Sequence, residues 1–430
     1  MAESVPAPRL VVGSFVDMAG VSRAKAMPAD RADVFVAAGA GVSKSWLVFC
    51  VDDHLAFTPD LSVVGDLRLR ITRDEMRELG SGNLWAPADL TYQDGTPFPG
   101  CPREALRTTV TRLAEAGVEA LVGHELEFTL FGVPDTGRWA AYGLESVLRQ
   151  DDFVNDVLTA AARAGIAVDQ VHAEYGPDQF EISLAPTDPV AAADGVVLAR
   201  TVICATARAH GMLASFSPQP TPESAGNGAH QHLSLWGDGA PLLSGGRGPH
   251  GLTDAGSHAI AGLVAALPDF PLVLTGSAVS HLRMRPDNWA GVHCCWGLEN
   301  REAAVRLCED TMGNPIGANI EVKPIDPSAN PYLATTVVLG AAHAGLTTGA
   351  ALPPEVIVNP GELPADERVT VMPTAADDML DRFANSRLAA DLFTPTVREA
   401  LQAVRSYELD RYRGVAAAET TARLRYAWTN

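Results

Sequence analysis

The chain has 430 residues, 47% of them hydrophobic, and sets 32 Lys+Arg against 52 Asp+Glu for a formal charge of −20. So acidic a chain argues against nucleic acid or an anionic membrane as partner, no apolar run approaches the roughly 18 residues of a membrane span, and the opening MAESVPAPRL has no charged-then-apolar leader. Disorder and collagen are excluded, and six cysteines without regular spacing, two of them the adjacent Cys294 and Cys295, point to a reducing, cytoplasmic setting rather than a disulfide framework.

In chain order, Leu47–Val51, Ser62–Val64 and Leu67–Ile71 read as strands divided by turn residues. Gly80 to Pro102 is rich in Gly, Pro and Asp and reads mostly as loop, which sets a domain boundary near residue 100. Pro102–Ala116 has helical spacing with proline at its start. A strand is predicted at Glu119–Leu130, a helix near Val154–Ala164, strands at Val168–His172 and Phe180–Leu184, a long helix over Pro189–His210 and helical structure again from Asp377 to Arg411. Helices and strands mix without a βαβ alternation, so the class is α+β.

Four short stretches carry the chemistry. In Gly123-His124-Glu125-Leu126-Glu127-Phe128, a strand projects Glu125 and Glu127 from one face. In His172 to Glu181, a Gly176-Pro177 turn between two strands can bring Glu174 and Glu181 to one end of a sheet. In Gly226-Asn227-Gly228-Ala229-His230-Gln231-His232-Leu233-Ser234, two glycines allow close backbone approach and His230 and His232 share a face. Glu321 and Lys323 do the same in Asn319–Lys323. Each alone reads equally well as a solvated face or a packing feature. Together, Glu125, Glu127, Glu174, Glu181, Glu321 and His230 make a mostly oxygen ligand set, suited to Mg²⁺ or Mn²⁺ rather than zinc. Several such ions in one site suit phosphate chemistry, which calls for anion-binding arginines; Arg283, Arg301 and Arg306 lie within one short stretch.

These elements, in this order, resemble the glutamine synthetase family: HELEF, HAEYGPDQFE, GNGAHQH, RMRP, ENREAAVR and NIEVKPIDPSANPYLA fall in register from Gly123 to Ala334. The resemblance is fainter at Cys101–Arg103 and in the last helices, and poor over the first hundred residues. It implies a small N-terminal β-grasp domain (1–100) and a larger catalytic domain (101–430) on a curved antiparallel sheet flanked by helices. It also implies hexameric or dodecameric rings with active sites between subunits. Carried over by motif, Glu125, His230 and Glu321 would hold one metal and Glu127, Glu174 and Glu181 a second, with two to three Mg²⁺ (or Mn²⁺) per site. His232, Ser234 and Arg306 would meet ATP, Arg301 and Arg306 with Lys323 would serve the moving phosphoryl group, and Arg283, Gly226 and Asn227 would bind glutamate.

Departures from the family pattern define the expected acceptor. Trp289, in Pro286-Asp287-Asn288-Trp289, stands where ammonia-using members carry a flap glutamate, and Ala37–Ser43 has no counterpart of their Asp-Gly-Ser-Ser motif. Both groups that attract ammonium are absent, so the expected product is a γ-glutamylamide of an organic primary amine, with a monoamine preferred over a polyamine for want of carboxylates. Ala225 replaces a glutamate-binding asparagine and Lys323 an arginine, which leaves a different carboxylate donor open. Asn359–Pro364 has no match to the adenylylated tyrosine of many bacterial members. The competing readings are a true glutamine synthetase using ammonium and a catalytically silent nitrogen or amine sensor.

Overall fold

A computed structural model describes residues 9–79, 82–134 and 137–429. The expectation for the opening segment, and Gly80 at the start of the expected loop, fall mostly outside them. Seven strands come first: β1 (Leu10–Val16), β2 (Ser22–Pro28), β3 (Ala40–Ser43), β4 (Asp66–Arg70), β5 (Arg77–Glu78), β6 (Leu84–Pro87) and β7 (Asp89–Thr91). They build two small sheets, ordered β2–β1–β6–β5 and β3–β4–β7, with β1 and β6 parallel. Three local expectations are corrected here. Leu47–Val51 does not form a strand: Lys44–Val48 is a 3-10 turn whose start is capped by the Ser43 hydroxyl, which accepts from the Ser45 N–H, with Leu47 and Val48 buried beneath it. Ser62–Val64 is a series of bends with Val63 and Val64 exposed. The stretch expected as loop before Pro102 contains β6 and β7.

Nine further strands follow: β8 (Val118–Phe131), β9 (Val168–Ala173), β10 (Gln179–Thr187), β11 (Leu213–Ser215), β12 (Gln231–Gly237), β13 (Ala240–Pro241), β14 (His293–Leu298), β15 (Ala303–Cys308) and β16 (Asn319–Val322). They form one sheet, β14–β15–β16–β12–β8–β10–β9, with β11 beside β8 and β13 beside β12. Every pairing in it is antiparallel except β14 with β15. The chain is thus α+β, a small N-terminal domain ahead of a larger sheet domain, as expected.

The period of two along β8 divides labour between its faces. Leu126, Phe128 and Leu130 point into the core, where Phe128 meets Phe153, Phe180 and Phe216 at centroid distances of 6.3, 6.2 and 5.6 Å. Burying one such ring contributes about 1.5–3 kcal/mol. Glu125 and Glu127 necessarily take the other face. Behind the sheet, the helix Pro189–Ala209 is long and apolar enough to cross a membrane by length and composition, but twelve of its residues are buried in this core. The helices Asp254–Ala266 and Pro331–Thr348 touch through glycines: a Cβ on Gly345 would stand 2.0 Å from the His258 carbonyl oxygen, so only hydrogen fits.

Arg103, in the helix Pro102–Glu115, ties the two regions together. It is 3% exposed, and its fork donates to Asp194 at 3.0 and 2.8 Å, to Asp89 at 3.2 and 3.3 Å, and to Glu75. Breaking such a cluster leaves carboxylates without a counter-charge, so Arg103→Met is expected to cost about 3–5 kcal/mol of stability. Arg103→Lys should recover only part of it, because charge returns without the planar fork. Thermal or urea unfolding of the two variants checks both; an unchanged midpoint for Arg103→Met would refute the role.

Candidate active site

The site is assembled by strand register. Glu181 on β10 stands directly across from Glu127 on β8 and, on its other side, from His172 on β9. The tight turn after β9, with Asp178 at a positive φ of 55°, returns the chain so that Glu174 and Glu181 share one end of the hairpin. His172 Nε2 lies 2.8 Å from Glu174 Oε1 and 3.9 Å from Glu181 Oε1. On the other flank, His232 on β12 stands across from Glu321 on β16. His230 Nδ1 is 2.8 Å from Glu125 Oε2 and 3.5 Å from Glu321 Oε1, and His232 Nε2 is 3.1 Å from Glu125 Oε1. Ser234 follows His232 on the same face of β12.

Basic groups close the perimeter. Arg283, 4% exposed at the end of the short helix Ser280–Arg283, reaches His230 Nε2 at 3.1 Å. Arg306 Nη1 donates to Glu321 Oε2 at 2.9 Å and Lys323 Nζ to Glu321 Oε1 at 2.8 Å, while Arg301 sits exposed in the turn between β14 and β15. Gly228 is the packing hinge: a Cβ there would fall 2.6 Å from His230 Nε2, 2.7 Å from Glu127 Oε1 and 2.8 Å from Arg283 Nη2. Any larger residue would displace three functional side chains at once. Gly226 holds a left-handed φ of 89° beside it. Asn227 is fully buried; its amide donates to the Ser215 and Ser217 carbonyls at 3.2 and 2.9 Å and accepts from Gln179 at 3.0 Å. Its side chain therefore braces the loop, and its N–H donates to the Pro218 carbonyl at 2.9 Å, which leaves its own carbonyl oxygen to meet a ligand.

Two residues that sequence reasoning assigned no role belong to the cluster. Gln179 Nε2 donates to Glu127 Oε2 at 3.0 Å and to the Gly226 carbonyl at 2.6 Å, orienting that carboxylate. His172 supplies a third imidazole. Both lie inside HAEYGPDQFE, but only strand pairing reveals their direction.

The electrostatics show an excess of anions. Burial and then the carboxylates of Glu125, Glu127, Glu174 and Glu321 push Glu181 well above the ordinary carboxyl range. Burial raises Glu127 too, with Glu174 adding to it. Burial would raise Glu125 as well, but hydrogen bonds from His230 and His232 outweigh it and hold that carboxyl well below its usual range. Among the described residues, three groups of donor atoms lie within 4.8 Å of one another: Glu125, Glu181 and His230; Glu125, His232 and Glu321; His172, Glu174 and Glu181. Mutually repelling oxygen donors with a few imidazoles fit hard divalent cations, which would relieve the repulsion that raises Glu181.

The glutamine synthetase catalytic-domain family model matches residues 99–423. The gamma-glutamylpolyamine synthetase GlnA3 of Streptomyces coelicolor is 37% identical over 94% of this chain and 90% of its own length. A glutamine synthetase of Pyrococcus abyssi is 29% identical over 79% of this chain and 75% of its own. The crystal structure of a novel glutamine synthase homolog superposes over 100% of both chains with a TM-score of 0.89 at 29% identity.

Proposed function

We propose a substrate class from one premise: the chain belongs to the glutamine synthetase family, whose catalytic domain it carries. It is an ATP-dependent carbon–nitrogen ligase, and ligases of this family use divalent metals and ATP, and join glutamate to an amine or ammonia. The finer reading is that it activates the γ-carboxylate of glutamate as γ-glutamyl phosphate. An organic primary amine then displaces phosphate, giving a γ-glutamylamide, ADP and phosphate. Trp289 carries this reading. At the position of the flap glutamate it presents a 46% exposed indole, which can neither bind ammonium as a counter-ion nor take its proton at neutral pH. The name of the Streptomyces relative supports the same chemistry and moves the acceptor from the monoamine expected above toward amines with more than one nitrogen.

In this reading Glu125, His230 and Glu321, with Glu127, Glu174 and Glu181, would hold two to three Mg²⁺ or Mn²⁺ ions. Such ions supply charge neutralisation for phosphoryl oxygens. Arg301 and Arg306 face the transferred phosphoryl group, and Lys323 holds Glu321 in place. His232, Ser234 and Arg306 face the nucleotide, Arg283 the α-carboxylate of glutamate, and the Gly226–Asn227 backbone its other end. The domain boundary lies near residue 100. We extend the reading to hexameric or dodecameric rings and a cytoplasmic location, the latter supported by six free cysteines.

Phosphate release with ATP, Mg²⁺ and glutamate against ammonium, methylamine, ethanolamine, aniline and spermidine tests it. An organic amine is expected to exceed ammonium in kcat/KM by about tenfold or more, the equivalent of one lost charge contact of ~1.4 kcal/mol. Turnover with ammonium alone would overturn the acceptor assignment. Silence across the panel, with nucleotide binding intact by calorimetry, would favour another carboxylate donor or a sensor.

A further inference from the structure

Beside Trp289 the acceptor side carries a second exposed aromatic ring that the ligase reading does not use. Tyr175, next to the hairpin acid Glu174, is 59% exposed, and its ring meets that of Trp289 at a centroid distance of 5.7 Å and an interplanar angle of 89°. Two perpendicular rings form a corner, and a corner lets one small group touch both aromatic systems at once. Both rings are partly exposed in this chain, so their faces are open to a small ligand rather than buried as core.

The backbone holds the corner at a cost. Trp289 and Asp287 have φ of 49° and 59°. For residues with a Cβ this left-handed region costs about 1–2 kcal/mol each and persists only where surroundings impose it. Here they do. Glu302 Oε1 accepts from the Trp289 N–H at 2.9 Å, Asn359 donates to Asp287 Oδ1 at 2.9 Å, and Asn288 donates to the Arg283 and Ala225 carbonyls at 3.0 and 3.2 Å. The backbone that carries the indole is thus held relative to Arg283, the expected glutamate clamp. The Tyr175 N–H donates to Glu174 Oε2 at 2.8 Å, which ties that ring to the metal-binding hairpin, and Asp287 puts an acid in the Trp289 turn. Aromatic faces in a negative field recognise organic cations.

We propose that the Tyr175–Trp289 corner holds the second, non-reacting ammonium of a diamine or polyamine acceptor by cation–π contact, and so sets amine selectivity. This rests on the ligase reading above and deepens it. Asp287, outside the metal-binding set, adds a negative charge beside the corner, and Glu302 acts as a positioning residue through the Trp289 backbone.

The test compares kcat/KM for cadaverine, aminopentanol and pentylamine, which share chain length and reacting amine and differ only at the far end. Cadaverine is expected to be preferred. Trp289→Ala should lower the cadaverine-to-pentylamine ratio by about five- to thirtyfold, and Trp289→Phe, which keeps a ring face, should retain most of it. Tyr175→Leu repeats the test on the other, exposed wall, should Trp289→Ala fold poorly. A ratio near one in the wild type, or one unmoved by both variants, overturns the corner. Equal losses for all three amines overturn the cation part and leave an apolar wall. Formation of γ-glutamyl hydroxamate from hydroxylamine by the wild type separates the two levels: if it forms, such failures fall on the corner alone, and if neither it nor phosphate appears, the ligase reading fails and the corner with it.

Discussion

Replacing Glu321 with alanine is expected to remove ligase turnover by about 10²–10³-fold, the loss typical of one preorganised charge contact at a reacting centre, and to lower the thermal midpoint as well. Glu321 is 2% exposed and meets Lys323 Nζ at 2.8 Å, Arg306 Nη1 at 2.9 Å and His230 Nδ1 at 3.5 Å. Burial alone would raise its carboxyl, but Lys323 and His230 outweigh burial and hold it at about 2. Truncating one partner strands the other: Lys323, 3% exposed, would keep a charge with no carboxylate beside it, which costs about 3–5 kcal/mol. The double variant Glu321→Ala/Lys323→Met should regain much of the midpoint without regaining turnover. If turnover returned with stability, Glu321 would be a structural residue only. The pH dependence follows from the depressed carboxyl. Its stabilisation is present above the unfolded value of roughly 4.3 and is lost as pH falls toward the folded value, so the wild type should lose more stability than Glu321→Ala across that acid window.

The fold was legible where one physical signal dominated. The alternation in Glu119–Leu130 forced acids to one face and aromatics to the other, and β8 has that form. The proline-led stretches at Pro102 and Pro189 became helices at those starts. The N-terminal region was less legible because composition misled in both directions. Apolar Leu47 and Val48 are buried by a capped 3-10 turn rather than a strand, whereas Leu84–Pro87, in a Gly- and Pro-rich stretch, pairs with β1 and β5. In β1, Gly13 leaves room for Ile71, Leu69 and Phe35, a packing demand that no local pattern announces.

The site shows the same division. Pairs on one strand were readable from spacing, but their partners across strands were not. That His172 and Glu127 flank Glu181, and that His232 faces Glu321, follows from register between segments far apart in the chain. Asn227 shows the opposite case, a side chain whose surroundings spacing does not reveal. A polar residue between two glycines invites a ligand contact, yet its amide is consumed by the Ser215 and Ser217 carbonyls and by Gln179, because a buried loop must satisfy its own polar groups first.

Glu181→Gln is expected to move stability and activity in opposite directions. Glu181 is 5% exposed and shares its surroundings with four other carboxylates, so in the metal-free protein its charge is a liability. Glutamine keeps the shape and removes the charge; the metal-free thermal midpoint should rise. Adding Mg²⁺ should reverse the order, because an ion bound by the folded state stabilises it by mass action, and the variant binds less well. Its Mg²⁺ affinity should fall by at least about 10–100-fold, the loss seen when even an outer partner of a metal ligand is changed, and ligase turnover should fall with it. The sign in pH is the reverse of that for Glu321. A carboxyl raised on folding gives the native state extra bound protons, so its contribution to metal-free stability grows as pH falls from the raised value toward roughly 4.3, and the variant should lack that growth. Calorimetric unfolding with EDTA and with Mg²⁺ measures all of this in one series. A glutamine variant that is less stable without metal and no weaker for Mg²⁺ would show that Glu181 does not sit in a cation site, and the ligand assignments on β8, β10 and β16 would then need to be redrawn around the imidazoles.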